Sequence, residues 1–248
     1  MKYRVPRKGH WLGVSAVLAA LSFAVAMGPS TAQATELEAG AVAGVNWSHL
    51  TAPSDPQGEL TFLWGSAFTG TGTLIGATAS TGLSEVGGYQ LRLSGDFLYG
   101  YHRGSGFAEH EEQGSRIDVH FSTHVIRLPV IARLGASPQS SGPTVGLGLE
   151  PIIGMMSGAE VVTTNVEESI EPVETTPTTS MAGVFALGYE VRRDDMTIPF
   201  DARVSWNPFV SSSTEGRMKG LDSADEPNEF RMAFDWQFMF TAGVRWAM

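Results

Sequence analysis

Three polar residues, His120, Ser122 and His124, have the spacing of one β-strand face and could together form a catalytic or metal-binding site. Residues two apart on a strand point the same way, and His102 on the preceding segment would then lie beside them. Histidine nitrogens bind transition metals, and a serine next to a histidine can act as a nucleophile. The spacing therefore raises the hypothesis of a small enzyme or a metal-binding protein that uses His120 and His124.

One observation favours a plainer interpretation of these residues, and another argues against a nearby zinc-binding motif. The apolar register changes between Phe121 and Ile126, which predicts a bulge or the end of a strand, with the polar residues at a rim. The run from His110 onward, His-Glu-Glu-Gln-Gly, begins like a zinc-binding helix, but Gly114 stands where the second histidine is required. We therefore predict no catalytic residue, no metal site and no cofactor.

The first 34 residues have the composition of a secretory signal peptide. Four basic residues precede an apolar run over residues 11–27, and Ala32 and Ala34 flank Gln33 in the pattern of a signal-peptidase site. We predict cleavage after Ala34. Residues 1–34 are then the signal peptide, and residues 35–248 form one mature domain.

The mature part is acidic and lacks cysteine. The whole chain has a formal net charge of −10, and removing the four basic residues of the signal peptide leaves 12 basic and 26 acidic side chains, a charge of −14. A nucleic-acid-binding protein needs a basic surface, so this balance excludes that class of function. With no cysteine, a disulfide framework is excluded as well.

The C-terminal segment shows the clearest structural pattern. From residue 230 to residue 248 every even position is apolar, while the odd positions include Asp235, Gln237, Thr241 and Arg245. Such alternation predicts a strand with one apolar and one polar face. Its length exceeds that of a usual globular strand and is enough to cross a bilayer, which needs about 9–11 tilted residues. The even face is predicted to meet lipid, and an arginine in place of Gln237 is expected to be tolerated.

The same alternation recurs upstream and predicts seven further strands. They cover residues 37–47, 62–81, 89–102, 126–134, 145–153, 181–189 and 198–206. Short links are predicted around residues 82–88, 135–143 and 193–197, and long links over residues 48–60, 103–115, 157–179 and 208–229. Short turns that alternate with long loops are typical of outer-membrane barrels. The pattern predicts an all-β fold, a single eight-stranded antiparallel up-and-down transmembrane β-barrel.

The two strand faces differ in charge. The face opposite the apolar wall carries both signs, and we expect its side chains to form a network that closes the lumen. These residues are Arg92, Asp96, Arg127, Arg133, Glu150, Glu190, Asp201, Arg203, Asp235 and Arg245. Aromatic residues near the strand ends predict two girdles at the membrane surfaces. They are Trp47, Tyr99, Tyr101 and Trp206 at one end, and Tyr89, Tyr189 and Trp246 at the other.

Acidic residues cluster in three of the predicted long loops. They are Glu109, Glu111 and Glu112; Glu167, Glu168, Glu171 and Glu174; and Asp222, Asp225, Glu226 and Glu229. The last group lacks the spacing of a calcium loop. We interpret all three as solvated loops, with weak divalent-cation bridging to lipopolysaccharide as an alternative.

Several local motifs resemble those of a known family. Gly44-Val45-Asn46-Trp47-Ser48 is similar to its Gly-Val-Asn-x-Ser, Ile126-Arg127-Leu128-Pro129-Val130 to its apolar-Pro-apolar strand, and the segment from Gly183 to Tyr189 to its glycine-interrupted strand. The mature chain thus resembles the small outer-membrane β-barrels of the PorT-like, OmpA/OmpX-like group. Such barrels usually end in phenylalanine, whereas this chain ends in Trp246-Ala247-Met248.

This resemblance implies an integral protein of the cell outer membrane in a Gram-negative bacterium. Its expected partners are outer-membrane lipid, lipopolysaccharide and, during insertion, the barrel-assembly machinery, and we expect a monomer. The expected function is structural or surface-binding through acidic loops, without an open pore. Two alternatives stay open, a membrane enzyme or metal-binding barrel centred on His120 and His124, and a soluble lipocalin-like barrel.

Overall fold

The computed structural model describes residues 37–50, 68–110, 115–137, 140–164, 179–208 and 236–248. The predicted signal peptide lies outside these residues, so its cleavage stays a prediction. All described strands belong to one compact unit, Thr35–Met248. Among the described residues, no helix is both long enough and apolar enough to span a membrane.

The described fold consists of β-strands joined into one antiparallel sheet. The strands are β1 (Leu37–Leu50), β2 (Phe68–Val86), β3 (Tyr89–His110), β4 (Ser115–Arg127), β5 (Val130–Gly135), β6 (Gly142–Thr164), β7 (Thr179–Arg193), β8 (Met196–Trp206) and β9 (Trp236–Ala247). Neighbours in sequence pair with each other, except that β4 and β5 each pair with β3 and β6, and β1 also pairs with β9. This last pairing closes the sheet into a barrel, which removes the free edges of an open sheet.

The described strands number nine where eight were predicted. The additional one arises because β4 and β5, which the sequence analysis joined in part, are separated by Leu128 and Pro129. Both strands pair with β3 on one side and β6 on the other, so together they occupy one position in the ring. Proline has no N–H to donate to the ladder. The break leaves the eight positions of the predicted barrel in place.

Two of the predicted long links contain strand residues that the sequence analysis did not predict. Residues 103–110 continue β3, β4 begins at Ser115, and β6 extends to Thr164, so the predicted loops over 103–115 and 157–179 are wrong in those parts. The period-2 pattern is weak there because glycine and polar residues occupy both faces. The extended strands pair with one another, with Phe107 opposite Asp118 and His120 opposite Glu160.

The three short links lie within the predicted ranges but are shorter, because β2 extends to Val86, β6 begins at Gly142 and β8 begins at Met196. They lie at the end of the barrel where β1 begins and β9 ends. β2 and β3 are joined by Gly87 and Gly88, whose φ angles are 60° and 83°. A two-residue hairpin with positive φ at both positions matches the twist of the strands, and glycine adopts it without steric cost. We call this the turn end and the opposite end the loop end. Residues 51–67 and 209–235 lie outside the described residues.

Candidate functional site

The outer wall of the barrel is apolar. Ile75, Leu147 and Phe240 are each more than 60% exposed, at 64%, 66% and 63%. A soluble lipocalin-like barrel would direct such side chains inward and its charges outward, so the structure contradicts that alternative. An apolar wall around a charged lumen is the arrangement of an outer-membrane β-barrel.

The centre of the lumen holds an ion pair with no exposed surface. Arg127 binds Glu150 through two parallel contacts, Nε to Oε1 at 2.7 Å and Nη2 to Oε2 at 2.7 Å. The Ser205 hydroxyl donates to Glu150 Oε2 at 2.6 Å, and Arg127 Nη1 donates to the Gln237 side-chain oxygen. Hydrogen bonds on both partners are what a buried pair requires. An arginine in place of Gln237 would face Arg127 directly, so the structure argues against the tolerance expected from the sequence.

A second group of ion pairs lies nearer the turn end. Arg133 donates to Asp201 through both terminal guanidinium nitrogens, Nη1 to Oδ1 at 2.6 Å and Nη2 to Oδ2 at 2.9 Å. Arg203 donates to Asp96 at 2.5 Å and to Asp201 at 2.9 Å. Asp201 therefore accepts from two guanidinium groups at once. All four side chains are buried, and the mixed-sign network expected from the sequence is present here.

A third group of ion pairs closes the turn end itself. Arg92 contacts Glu38 at 2.6 Å, and Arg192 bridges Glu38 at 3.1 Å and Glu190 at 3.0 Å. Arg245 also donates to Glu190. These residues come from β1, β3, β7 and β9, so the contacts tie together strands on opposite sides of the ring. Asp235, also predicted for this network, lies outside the described residues.

The side chains leave little space between these groups. A cavity of about 10 Å³ lies among Asp96, Arg133, Asp201 and Arg203, which is about the volume needed for a single water molecule. Eight positions in a ring make a barrel whose interior side chains just fill it. Around these ion pairs, the described lumen is therefore a packed polar core.

Gly188 makes room for the Asp201 carboxylate. A Cβ at this position would lie 2.3 Å from Asp201 Oδ1 and 2.7 Å from the Phe200 carbonyl oxygen. We expect Gly188→Ala to lower the free energy of unfolding by about 1–3 kcal/mol, because overpacking forces neighbouring groups to shift. Gly183→Ala on the same strand is the matched control, since the nearest atom to its Cβ would be 4.0 Å away. Urea unfolding of both variants in vesicles tests this, and equal stability would contradict it.

The histidines predicted to lie together do not share one face. His102 points into the lumen, is 1% exposed, and places Nδ1 2.9 Å from Asn46 Nδ2 and 3.3 Å from Ser48 Oγ. His124 lies opposite Tyr101 in register and points outward, and His120 is exposed. The expected juxtaposition with His102 is therefore wrong. Neighbouring residues of one strand alternate between faces, and His102 has the opposite parity to the residue that pairs with His124.

The predicted change of register near His124 is confirmed. The pairing of β4 with β6 shifts between Thr123 and Val125, which is a β-bulge. Across the described residues, no group of three or more His, Cys, Asp and Glu side chains could hold a metal ion. Of the predicted acidic loop residues, Glu109 lies in β3, and the others lie outside the described residues.

A polar and aromatic cluster that the sequence analysis assigned to separate features lies on the outer face of β3 and β4. Tyr99 Oη is 2.6 Å from His124 Nδ1, and the rings of Tyr101 and His124 are 4.8 Å apart. Arg103 Nε donates to Tyr101 Oη at 2.7 Å, and its guanidinium lies 5.3 Å from the centre of the Tyr101 ring. We call Tyr99, Tyr101, Arg103 and His124 the outer-face cluster. The sequence signal for it was the odd-residue alternation of β3, which continues past Tyr101 to Arg103.

Two solved structures resemble this fold. Ail, the attachment invasion locus protein of Yersinia pestis, in complex with the heparin analogue sucrose octasulfate, aligns over 86% of this chain and 99% of its own, with 8% identity and a TM-score of 0.36. The translocator domain of the autotransporter NalP from Neisseria meningitidis aligns over 95% and 98%, with 11% identity and a TM-score of 0.25. No protein-family model and no curated protein matches the chain. The fold assignment rests on the strand pairing and burial described above.

Proposed function

We propose that this chain is an integral outer-membrane protein of a Gram-negative bacterium, a structural or surface-binding barrel without an open pore and without enzymatic activity. The observation that carries the proposal is a lumen filled by ion pairs inside an apolar wall. The Arg127–Glu150 pair has no exposed surface and spans the lumen through Gln237 on the far strand β9. A pore would need a continuous hydrated path at that point.

Further support comes from the predicted signal peptide and from exposed aromatic residues near the strand ends. Trp47 and Trp206 are 41% and 48% exposed at the loop end, and Tyr189 and Trp246 are 48% and 46% exposed at the turn end. Amphipathic rings favour the headgroup level of a membrane. Membership of the PorT-like, OmpA/OmpX-like group belongs to the proposal and rests on the three local motifs. The proposed partners are outer-membrane lipid, lipopolysaccharide and the assembly machinery, and the proposed state is a monomer.

The absence of enzymatic activity is part of the proposal because the polar groups near the rim do not converge. His102 and His124 lie on opposite faces of the wall, and the partner of His124 is a tyrosine hydroxyl. A hydrolase needs a nucleophile within hydrogen-bond distance of its base. Ser122 lies opposite Arg103 in register, two residues away from His124 along β4.

Planar-bilayer recording of the refolded mature protein tests the closed lumen. We expect no large, steady conductance, because ion pairs fill the described lumen and the cavity between Arg133 and Arg203 holds about one water molecule. The protein must first show the shift in gel mobility on heating that distinguishes a folded barrel from an unfolded one. A stable, porin-sized current from folded protein would contradict the proposal.

A further inference from the structure

We propose that the outer-face cluster binds a phosphate group of a phosphorylated glycolipid in the outer leaflet. This inference rests on the proposed outer-membrane location and names a lipid partner and the site that holds it. The occupant follows from three properties of the cluster, which are its height on the barrel, its charge and the hydrogen-bond donors that it leaves free.

The height of the cluster follows from strand geometry. A strand rises about 3.3 Å per residue, and a tilt of about 40° leaves roughly 2.5 Å per residue along the membrane normal. The ten steps from Leu91 to Tyr101 on β3 therefore span about 25 Å, the height of the apolar band of an outer-membrane barrel. Arg103 lies two residues further, about 5 Å outside this band. That is the level of the lipid headgroups and their phosphates.

The charge at this height is positive. Along the outward face of β3 and β4, Arg103 is the first charged side chain beyond the apolar band, and it is exposed. Asp118 follows further out, opposite Phe107 in register, whereas Arg103 lies opposite Ser122. Within the described part of the chain, Arg103 forms no ion pair, in contrast to the paired arginines of the lumen. A lone cation at the headgroup level complements an anionic lipid.

The contacts within the outer-face cluster leave N–H hydrogen-bond donors available for such an anion. Arg103 uses Nε to donate to Tyr101, which fixes the guanidinium and leaves its two terminal nitrogens to donate. When Tyr99 donates to His124 Nδ1, the other ring nitrogen of His124 carries the proton and is a further donor. Guanidinium–phosphate hydrogen bonds are among the strong ones because both partners are charged. The tyrosine rings below them meet acyl chains, so the cluster suits a phosphate that is attached to a lipid.

Native mass spectrometry of the folded mature protein tests the proposal with three probes. These are bisphosphorylated lipid A, the same lipid A without phosphates, and inorganic phosphate. We expect the protein to bind bisphosphorylated lipid A at least about tenfold more tightly than the dephosphorylated form. Equal affinity for the two lipids would overturn the proposal. Displacement of lipid A by millimolar inorganic phosphate would also overturn it, because the site would then serve a free anion.

Matched variants connect this preference to Arg103. Arg103→Gln should abolish the preference for the phosphorylated lipid, and Arg103→Lys should keep part of it, since lysine retains the charge without the planar fork. Arg193→Gln is the control, because Arg193 is also exposed but lies at the turn end of β7. An equal loss in Arg193→Gln would overturn the assignment. Gel mobility separates the two proposals, since a chain that does not fold in lipid fails both, whereas a folded barrel without phosphate preference fails this inference alone.

Discussion

Phe240→Arg should lower the free energy of unfolding in lipid vesicles by about 2–4 kcal/mol, the cost of an arginine at the bilayer midplane on the outside of a barrel. Phe240 is 63% exposed and lies on β9 between two exposed tryptophans, Trp236 and Trp246. Its neighbours in register are Val45 and Ala202, which offer no partner for a guanidinium. Urea titration of the folded protein in vesicles measures the loss.

The control places the same side chain at a different height on the same outer surface. Ser105→Arg lies on β3 two residues beyond Arg103, where we expect a cost of about 0–1 kcal/mol because the membrane interface solvates the charge. The difference between the two variants reports depth in the bilayer and cancels the intrinsic effect of arginine on a strand. Similar costs at the two positions would mean that the apolar wall is not embedded in lipid.

Arg127→Met should destabilise the barrel by about 3–5 kcal/mol, because it leaves the Glu150 carboxylate buried without its partner. Both side chains have 0% exposed surface, and among the described residues Ser205 would remain as the donor to Glu150. Methionine is close to arginine in volume, so lost packing contributes little to the result. Urea unfolding in vesicles again measures the change.

The double variant Arg127→Met, Glu150→Met separates the charge effect from the packing effect. Replacing both members of a buried pair by apolar side chains of similar volume is often close to neutral. We therefore expect the double variant to regain most of the stability that Arg127→Met loses. If the double variant is no more stable than the single one, the ion pair contributes stability beyond the compensation of each buried charge by the other.

The alternation of apolar and polar residues was enough to predict from the sequence which side chains face the lumen of the barrel. Period 2 assigns each side chain of a strand to a face, so Arg92, Asp96, Glu150 and Asp201 could be placed in the lumen without coordinates. The rim was harder to predict. Between residues 103 and 115 glycine and polar residues occupy both faces, and period 2 carries no signal where the two faces do not differ in polarity.

Pairing across the ring required the tertiary structure. Alternation states that Arg127 and Gln237 point inward, but they are 110 residues apart in sequence, and only closure of β9 on β1 brings them into contact. For the same reason, the sequence suggested that an arginine at position 237 would be tolerated, whereas the structure places Arg127 there. The tertiary structure likewise showed that one position of the wall consists of two strands, β4 and β5, which are separated at Leu128 and Pro129.

The sequence by itself determined the strand faces and the mixed charge of the lumen, because both depend on composition or on local periodicity. The signal peptide and the membrane girdles stay predictions from the same kind of pattern. The tertiary structure decided which charges pair, that His102 and His124 lie on opposite faces of the wall, and that Arg103, Tyr101 and His124 form one cluster. These features depend on the register between strands. Register is set by the backbone hydrogen bonds of the closed barrel as a whole, and a one-residue shift in any pairing would separate the residues that now meet.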